Sequence, residues 1–264
     1  RLRGESRYTA LSGDGGSTTS RLARTRSVKR PPLDIQTESP WCYPKVPGPA
    51  ALSKSRGLQP GRYGLLVIDM IYGCIEAHLG YIAQSTDGDP KTSYYANRMD
   101  GTVIPAHKLL LSAARASGFP IIYTILGSHF DDYLDISPHV RPVIEDRGVR
   151  SGTHGFEIVE PLQPRGGDIV LTKLGSGAFG TTAIDEILRG AGVQEVVIAG
   201  TVTNGCVLTT ALGAWDLGYG VTVAEDACCT LGQRLHDQAL DVMRGCQITV
   251  VGVKEVLSHW AASS

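Results

Sequence analysis

Three residues with chemistry in their side chains stand where apolar runs end. Asp69 follows "LLVI", Lys173 follows "DIVLT", and Cys206 closes the loop "TVTNG" that leaves "EVVIAG". A carboxylate, an ammonium and a thiol together make the parts of acyl transfer through sulfur. The thiolate is the nucleophile, and a free thiol of pKa about 8.5 is only a few per cent ionised at neutral pH. An adjacent ammonium and the N-terminus of the helix expected after Cys206 would raise that fraction. Asp69 could take the thiol proton and return it to a departing amine. Backbone N–H groups of Cys206 and of a residue a few positions earlier could hold a developing oxyanion. Each residue also has an ordinary explanation. The Asp fits a turn or helix cap, the Lys a solvated strand end, and the Cys simple packing. What speaks for chemistry is that all three fall at the same end of three strands.

Six short apolar, β-branched runs cover 63–70, 119–126, 168–173, 195–200, 219–226 and 247–253. Between them, helical patterns cover 102–117, 181–190, 207–217 and 232–244. Near-continuous apolar strands alternating with helices predict an α/β fold, with a parallel sheet buried on both faces. The architecture expected is three-layer α/β/α and Rossmann-like, with a central, mostly parallel six-stranded sheet. Such sheets place ligands at the carboxyl ends of strands, where the three residues sit. Segments 71–101 and 127–167 are polar and rich in Gly and Pro, and predict loops or short helices over the site.

The chain has 264 residues, 42% of them hydrophobic, enough for one large core. Two regions follow from composition and pattern: a basic N-terminal arm at 1–60 and a single α/β domain at 61–264. The arm holds 11 Lys and Arg against 4 Asp and Glu and half of the 14 prolines, leaving a net charge of −8 on the rest. It has too little apolar periodicity for a core of its own. It predicts either a flexible tail or a segment lying on a neighbouring subunit of a homo-oligomer. The overall charge of −1 argues against a nucleic-acid partner, and no apolar run approaches the roughly 20 residues of a membrane helix. Six cysteines without paired metal spacing point to free thiols in a reducing compartment, the cytoplasm. The Arg- and Ser-rich start also resembles a processed organelle transit segment, which would place the protein in an organelle matrix.

The motifs "LLVIDM", "TKLGSGAFGTT" and "AGTVTNGCV", in that order, resemble the isochorismatase-like cysteine hydrolases, over about residues 61–257. That superfamily includes nicotinamidases, N-carbamoylsarcosine amidohydrolases, and biuret and ureidoacrylate hydrolases. The resemblance implies a triad of Asp69, Lys173 and Cys206, and a non-proline cis peptide at Thr201–Val202. It further implies oxyanion donors at the N–H groups of Val202 and Cys206. The implied reaction is hydrolysis of a small linear amide, carbamoyl or ureido in type, through a thioester. Dimers or tetramers are the implied assembly.

Departures from the family pattern bear on the substrate. Many relatives continue the first motif as D-x-Q-N-D-F, whereas Tyr72 and Cys74 stand at the Asn and Phe places, remodelling that wall. Nicotinamidases hold a metal through Asp-x-His after the second strand, but here Gly127 precedes His129 in "LGSHFDDYLDISPH". His129 is therefore assigned to the substrate pocket, with no metal and no cofactor expected. Phe179 is assigned to the pocket wall, Thr181 or Thr182 to a helix cap, and Cys228 or Cys229 to the crevice edge. Two other readings compete: an isochorismatase-type vinyl-ether hydrolase, which Cys206 argues against, and a silent structural subunit, which the intact triad argues against.

Overall fold

The computed structural model describes residues 63–75 and 90–262. The basic arm, and with it any contact it makes with another subunit, lies outside the described residues. No helix among them is long and apolar enough to cross a membrane.

The chain opens with β1 (Tyr63–Ile68), a one-turn helix α1 (Tyr72–Ile75), and α2 (Pro90–Arg98), which runs through a π-helical stretch into α3 (Ile104–Ala116). Then come β2 (Ile121–Leu126), α4 (Arg141–Asp146), two 3₁₀ turns, β3 (Ile169–Lys173) and α5 (Ile184–Gly190). The second half runs β4 (Glu195–Thr201), a π-helical turn (Thr203–Val207), α6 (Leu208–Asp216) and β5 (Gly220–Cys229). It ends with α7 (Gln233–Gly245), β6 (Thr249–Val251) and α8 (Val253–Ala262).

The six strands form one sheet in the order β3-β2-β1-β4-β5-β6, and every neighbouring pair is parallel. From β1 the chain steps outward to β2 and β3; from β4 it steps the opposite way to β5 and β6. Parallel crossovers are right-handed, so this reversal puts the helices of the two halves on opposite faces. The crossover helices α6 and α7 accordingly pack together on one face, while α8, which follows the last strand and makes no crossover, returns to the other face and packs with α3. Covered on both sides, Leu65 to Ile68 of β1 are 0% exposed. Each such side chain contributes roughly 1.5–3 kcal/mol of burial, which holds the centre of the sheet in place. The order reverses between β1 and β4, and the carboxyl ends of these two strands frame the crevice where doubly wound sheets bind ligands.

Several expectations from sequence are refined. β1 stops at Ile68 because Asp69 turns into the left-handed region at φ 51. β5 runs on to Cys229 across an irregularity in register, where Ile198 pairs Val223 but Gly200 pairs Cys228. That extension buries Cys228 and Cys229 inside the sheet, with the Cys229 thiol against the carbonyls of Tyr95 and Thr230 rather than at the crevice edge. The run ending at 253 shrinks to a three-residue strand, and Val253 instead opens α8. α8 was legible in principle: Val253, Val256 and Trp260 recur at helical spacing and are buried. Segment 71–101 does hold short helices, but Tyr95 and Met99 belong to the core rather than to a loop above it.

Candidate active site

Asp69 is anchored from both neighbouring strands. Its N–H donates to the Thr124 carbonyl of β2 at 3.1 Å, and its carbonyl accepts the Thr201 hydroxyl of β4 at 3.3 Å. The positive φ is one that Asp adopts more readily than most residues. It turns the side chain toward the crevice, where Oδ1 accepts the Thr124 hydroxyl at 2.9 Å and Oδ2 meets Lys173 Nζ at 2.9 Å.

Lys173 closes β3 opposite Leu126, and its side chain is fully sealed from solvent. Its ammonium donates to the carbonyls of Gly175 at 2.9 Å and Ser176 at 3.0 Å, and to Cys206 Sγ at 3.2 Å. An ammonium has three protons, and four acceptors share them, because Asp69 Oδ2 lies 2.9 Å away in a buried ion pair. The same carboxylate also bears on the Cys206 thiol, where it can accept a proton from sulfur.

Cys206 sits in the π-helical turn after β4 and is 5% exposed. The turn follows a cis peptide at Thr201–Val202, where the family resemblance implied one. Gly200 just before it has φ 134, and a Cβ there would lie 2.1 Å from the Ile68 carbonyl oxygen. Only glycine lets β4 approach β1 so closely. Val202 and Cys206 are both buried on this turn. On the outer side of Sγ, the Ser176 hydroxyl approaches to 3.8 Å and lies 3.1 Å from the Thr209 hydroxyl.

The electrostatics differ from the sequence expectation in sign. Cys206 was expected to be unusually acidic, yet its pKa is pushed up to about 11. Burial is the largest cause; the Lys173 charge lowers the value, while the charge of Asp69 and its hydrogen bond with the thiol raise it. Burial pushes Cys228 and Cys229 further, to about 12. Lys173 loses by desolvation but gains more from Asp69 and Cys206, and ends above the ordinary lysine range. The resting cluster thus pairs one carboxylate with one ammonium and keeps the sulfur neutral. Moving the thiol proton to Asp69 leaves the net charge of this sealed space unchanged, whereas losing it to water does not.

The three residues read from sequence meet in one place, but the pocket residues do not join them. Tyr72 is fastened to the 154–160 segment: its ring stacks on His154 at 4.0 Å, and its hydroxyl accepts the Glu160 N–H at 3.1 Å. Phe179 turns away from the thiol; its ring packs on Tyr219, at the amino end of β5, with centroids 5.6 Å apart. His129 is exposed on the loop after β2, with its N–H donating to Asp135 at 2.9 Å. At the neighbouring Gly127, a Cβ would lie 2.8 Å from the Phe156 ring, so a larger residue does not fit. No cluster of three or more His, Cys, Asp or Glu able to hold a metal exists among the described residues. Thr182 supports α5, accepting the Ile184 N–H at 3.1 Å, while Thr181 bonds back to Gly177. Sequence reading missed Thr124, the carbonyls of Gly175 and Ser176, and Thr209. The one signal for Thr124 was a hydroxyl inside an otherwise apolar strand.

The family model of the isochorismatase domain matches residues 63–255. A ureidoacrylate amidohydrolase from Agrobacterium fabrum is 30% identical over 199 residues, covering 69% of this chain and 82% of that protein. Among solved structures, an isochorismatase family protein from Desulfovibrio vulgaris superposes with a TM-score of 0.62 at 28% identity, covering 76% of this chain and 99% of that one. An N-carbamoylsarcosine amidase from Thermoplasma acidophilum superposes with a TM-score of 0.57 at 27% identity, covering 73% and 96%. With its parallel sheet, its Asp–Lys–Cys cluster at the switch point and a match over most of its length, this chain belongs to the isochorismatase family of hydrolases.

Proposed function

We propose that the protein is a cysteine-dependent amidohydrolase that cleaves the C–N bond of a small linear amide, carbamoyl or ureido in type, through a thioester on Cys206. The observation that carries this reading is the position of Cys206 Sγ, 3.2 Å from a buried ammonium that is itself paired with Asp69. The names of the ureidoacrylate and N-carbamoylsarcosine relatives support the substrate class.

In this reading Asp69 takes the S–H proton as Sγ attacks the amide carbon. The oxyanion gathers its negative charge beside the N–H groups of Val202 and Cys206, preorganised dipoles that need no reorientation. As the C–N bond breaks, Asp69 gives the proton to the leaving nitrogen, and the acyl group stays on sulfur as a thioester. A water molecule then attacks the thioester carbon and passes its proton to Asp69. Collapse releases the acid, and the proton returns to sulfur. Lys173 stays charged throughout and offsets the carboxylate or thiolate beside it. Every step is a proton or acyl transfer among the chain's own groups, the amide and water.

The test is ammonia release from ureidoacrylate, N-carbamoylsarcosine and nicotinamide, with pyruvate release from isochorismate as the vinyl-ether control. The expected result is turnover of a ureido or carbamoyl compound, none with Cys206→Ala, and an acyl adduct on Cys206 by mass spectrometry during turnover. Hydrolysis that survives Cys206→Ala, or turnover of isochorismate alone, rejects the proposal.

A further inference from the structure

Packed against the Cys206 turn is a partly buried polar chain that the proposed chemistry does not use. Arg98, the last residue of α2, donates through Nε to the Cys228 carbonyl at 3.1 Å and through Nη2 to the Glu225 carbonyl at 3.0 Å. Both acceptors belong to the irregular stretch of β5. The same Nη2 lies 3.1 Å from Nε2 of His236 in the first turn of α7, and Nδ1 of that ring is 2.8 Å from the Thr203 hydroxyl. His236 is 2% exposed and Thr203 0%.

The tautomer follows from donor capacity. A guanidinium only donates, so Nε2 must accept, and the ring proton must sit on Nδ1 and point at Thr203 Oγ1. Burial first, and the Arg98 charge second, lower the His236 pKa to about 4, so the ring stays neutral near neutral pH. Thr203 follows Val202 directly and stands three residues before Cys206, and the N–H groups of Val202 and Cys206 are those that would face the oxyanion. A second side chain pins the same turn one residue on: the Thr230 hydroxyl donates to Asn204 Oδ1 at 2.6 Å.

We propose that Arg98 and His236 act through Thr203 as positioning residues for the Cys206 turn, with Arg98 fixing the imidazole tautomer and His236 fixing where Thr203 sits. This rests on the amidohydrolase reading. It makes α2 a support of the turn that carries the nucleophile. Neither residue touches the reacting atoms; each acts by holding the next.

The experiment has two readouts. Thr203→Val removes the acceptor at nearly constant shape, and Thr203→Ser keeps it. Thr203→Val should lower kcat about tenfold with KM within about twofold, as for an interaction felt only in the transition state. Thr203→Ser should stay within about twofold of wild type. The second readout is the pH profile of iodoacetamide alkylation at Cys206, followed on its own peptide. Thr203→Val and Arg98→Met should both move that profile, and Thr203→Ser should restore it. A folded Thr203→Val or Arg98→Met protein whose Cys206 profile overlays wild type overturns the proposal. So does an equal loss in Thr203→Ser and Thr203→Val, which would reveal packing alone. Alkylation needs no substrate, so a protein inactive on every amide sinks the proposed function while the alkylation profile still decides this inference.

Discussion

The Asp69 carboxylate and the Lys173 ammonium meet at 2.9 Å with side chains 1% and 0% exposed, one leaving the end of β1 and the other the end of β3. A buried pair of this kind contributes little net stability, but breaking it on one side leaves an uncompensated charge. Lys173→Met should therefore destabilise the protein by about 3–5 kcal/mol in urea unfolding. Adding Asp69→Asn to that variant should recover at least half of the loss. If the double variant is no more stable than the single one, the pair is not the source of the effect.

The titration of Cys206 separates the roles of its two neighbours. With a pKa of about 11, roughly 10⁻⁴ of the resting protein carries a thiolate at pH 7, so alkylation should keep rising well into the alkaline range. Asp69→Asn removes a charge that raises this pKa, and should speed alkylation at pH 7 while cutting turnover about 10²-fold or more. Lys173→Met removes a charge that lowers it, and should slow alkylation. The two variants moving alkylation in the same direction would contradict this arrangement.

Thr124 is a support that turnover should reveal. Its hydroxyl gives Asp69 Oδ1 a hydrogen bond at 2.9 Å in a place water does not reach. Thr124→Val leaves that oxygen unpaired at a cost of about 1–3 kcal/mol, and should lower kcat about tenfold. Thr124→Ser should keep most of the activity. Steady-state kinetics of the two variants, compared with their unfolding midpoints, check the expectation.

Gly200→Ala tests the close approach of β4 to β1. The added Cβ would lie 2.1 Å from the Ile68 carbonyl oxygen and 2.7 Å from the Ile68 nitrogen, and backbone cannot swing aside as a side chain does. Overpacking usually costs about 1–3 kcal/mol, and this contact should reach or exceed the top of that range. Chemical denaturation, or loss of soluble protein on expression, reads the outcome.

Two buried histidines set the acid limit of stability. His107 in α3 donates through Nδ1 to the Val103 carbonyl at 2.8 Å and has no partner at Nε2, and burial lowers its pKa from 6.5 to about 4. His236 is lowered to about 4 as well. In the unfolded chain both bind protons near pH 6.5, so the unfolded state gains protons first as pH falls. Stability should be full above about pH 6.5, fall between there and about pH 4, and level off below, by about 3 kcal/mol for each histidine. His107→Leu should flatten the fall by about half. The measurement is unfolding free energy against pH for wild type and variant.

The chemistry was legible where it rested on local pattern. Asp69, Lys173 and Cys206 each follow an apolar run, and a run of that kind reads as a strand wherever it lies in the chain. Thr124 was hidden because a lone Thr in a strand is ordinary β-branched filling, and only the neighbouring β1 gives its hydroxyl a partner. Phe179 was misplaced because sequence does not say which way a ring turns after a Gly-rich bend; packing against Gly213 and Tyr219 decides it.

The sequence by itself determined the alternation of strands and helices, the parallel sheet, and which residues stand at strand ends. These follow from side-chain periodicity, glycine placement and backbone sterics, which act over a few neighbouring residues. Only the tertiary structure decided that β1 and β4 lie side by side at the point where strand order reverses, so that Asp69 and Cys206 share one crevice. It also decided the protonation of the thiol. A helix start and a cation argue for acidity, but the desolvation that outweighs them comes from the burial of the thiol in the folded chain. Burial is a sum over the whole fold, and no short stretch of sequence contains it.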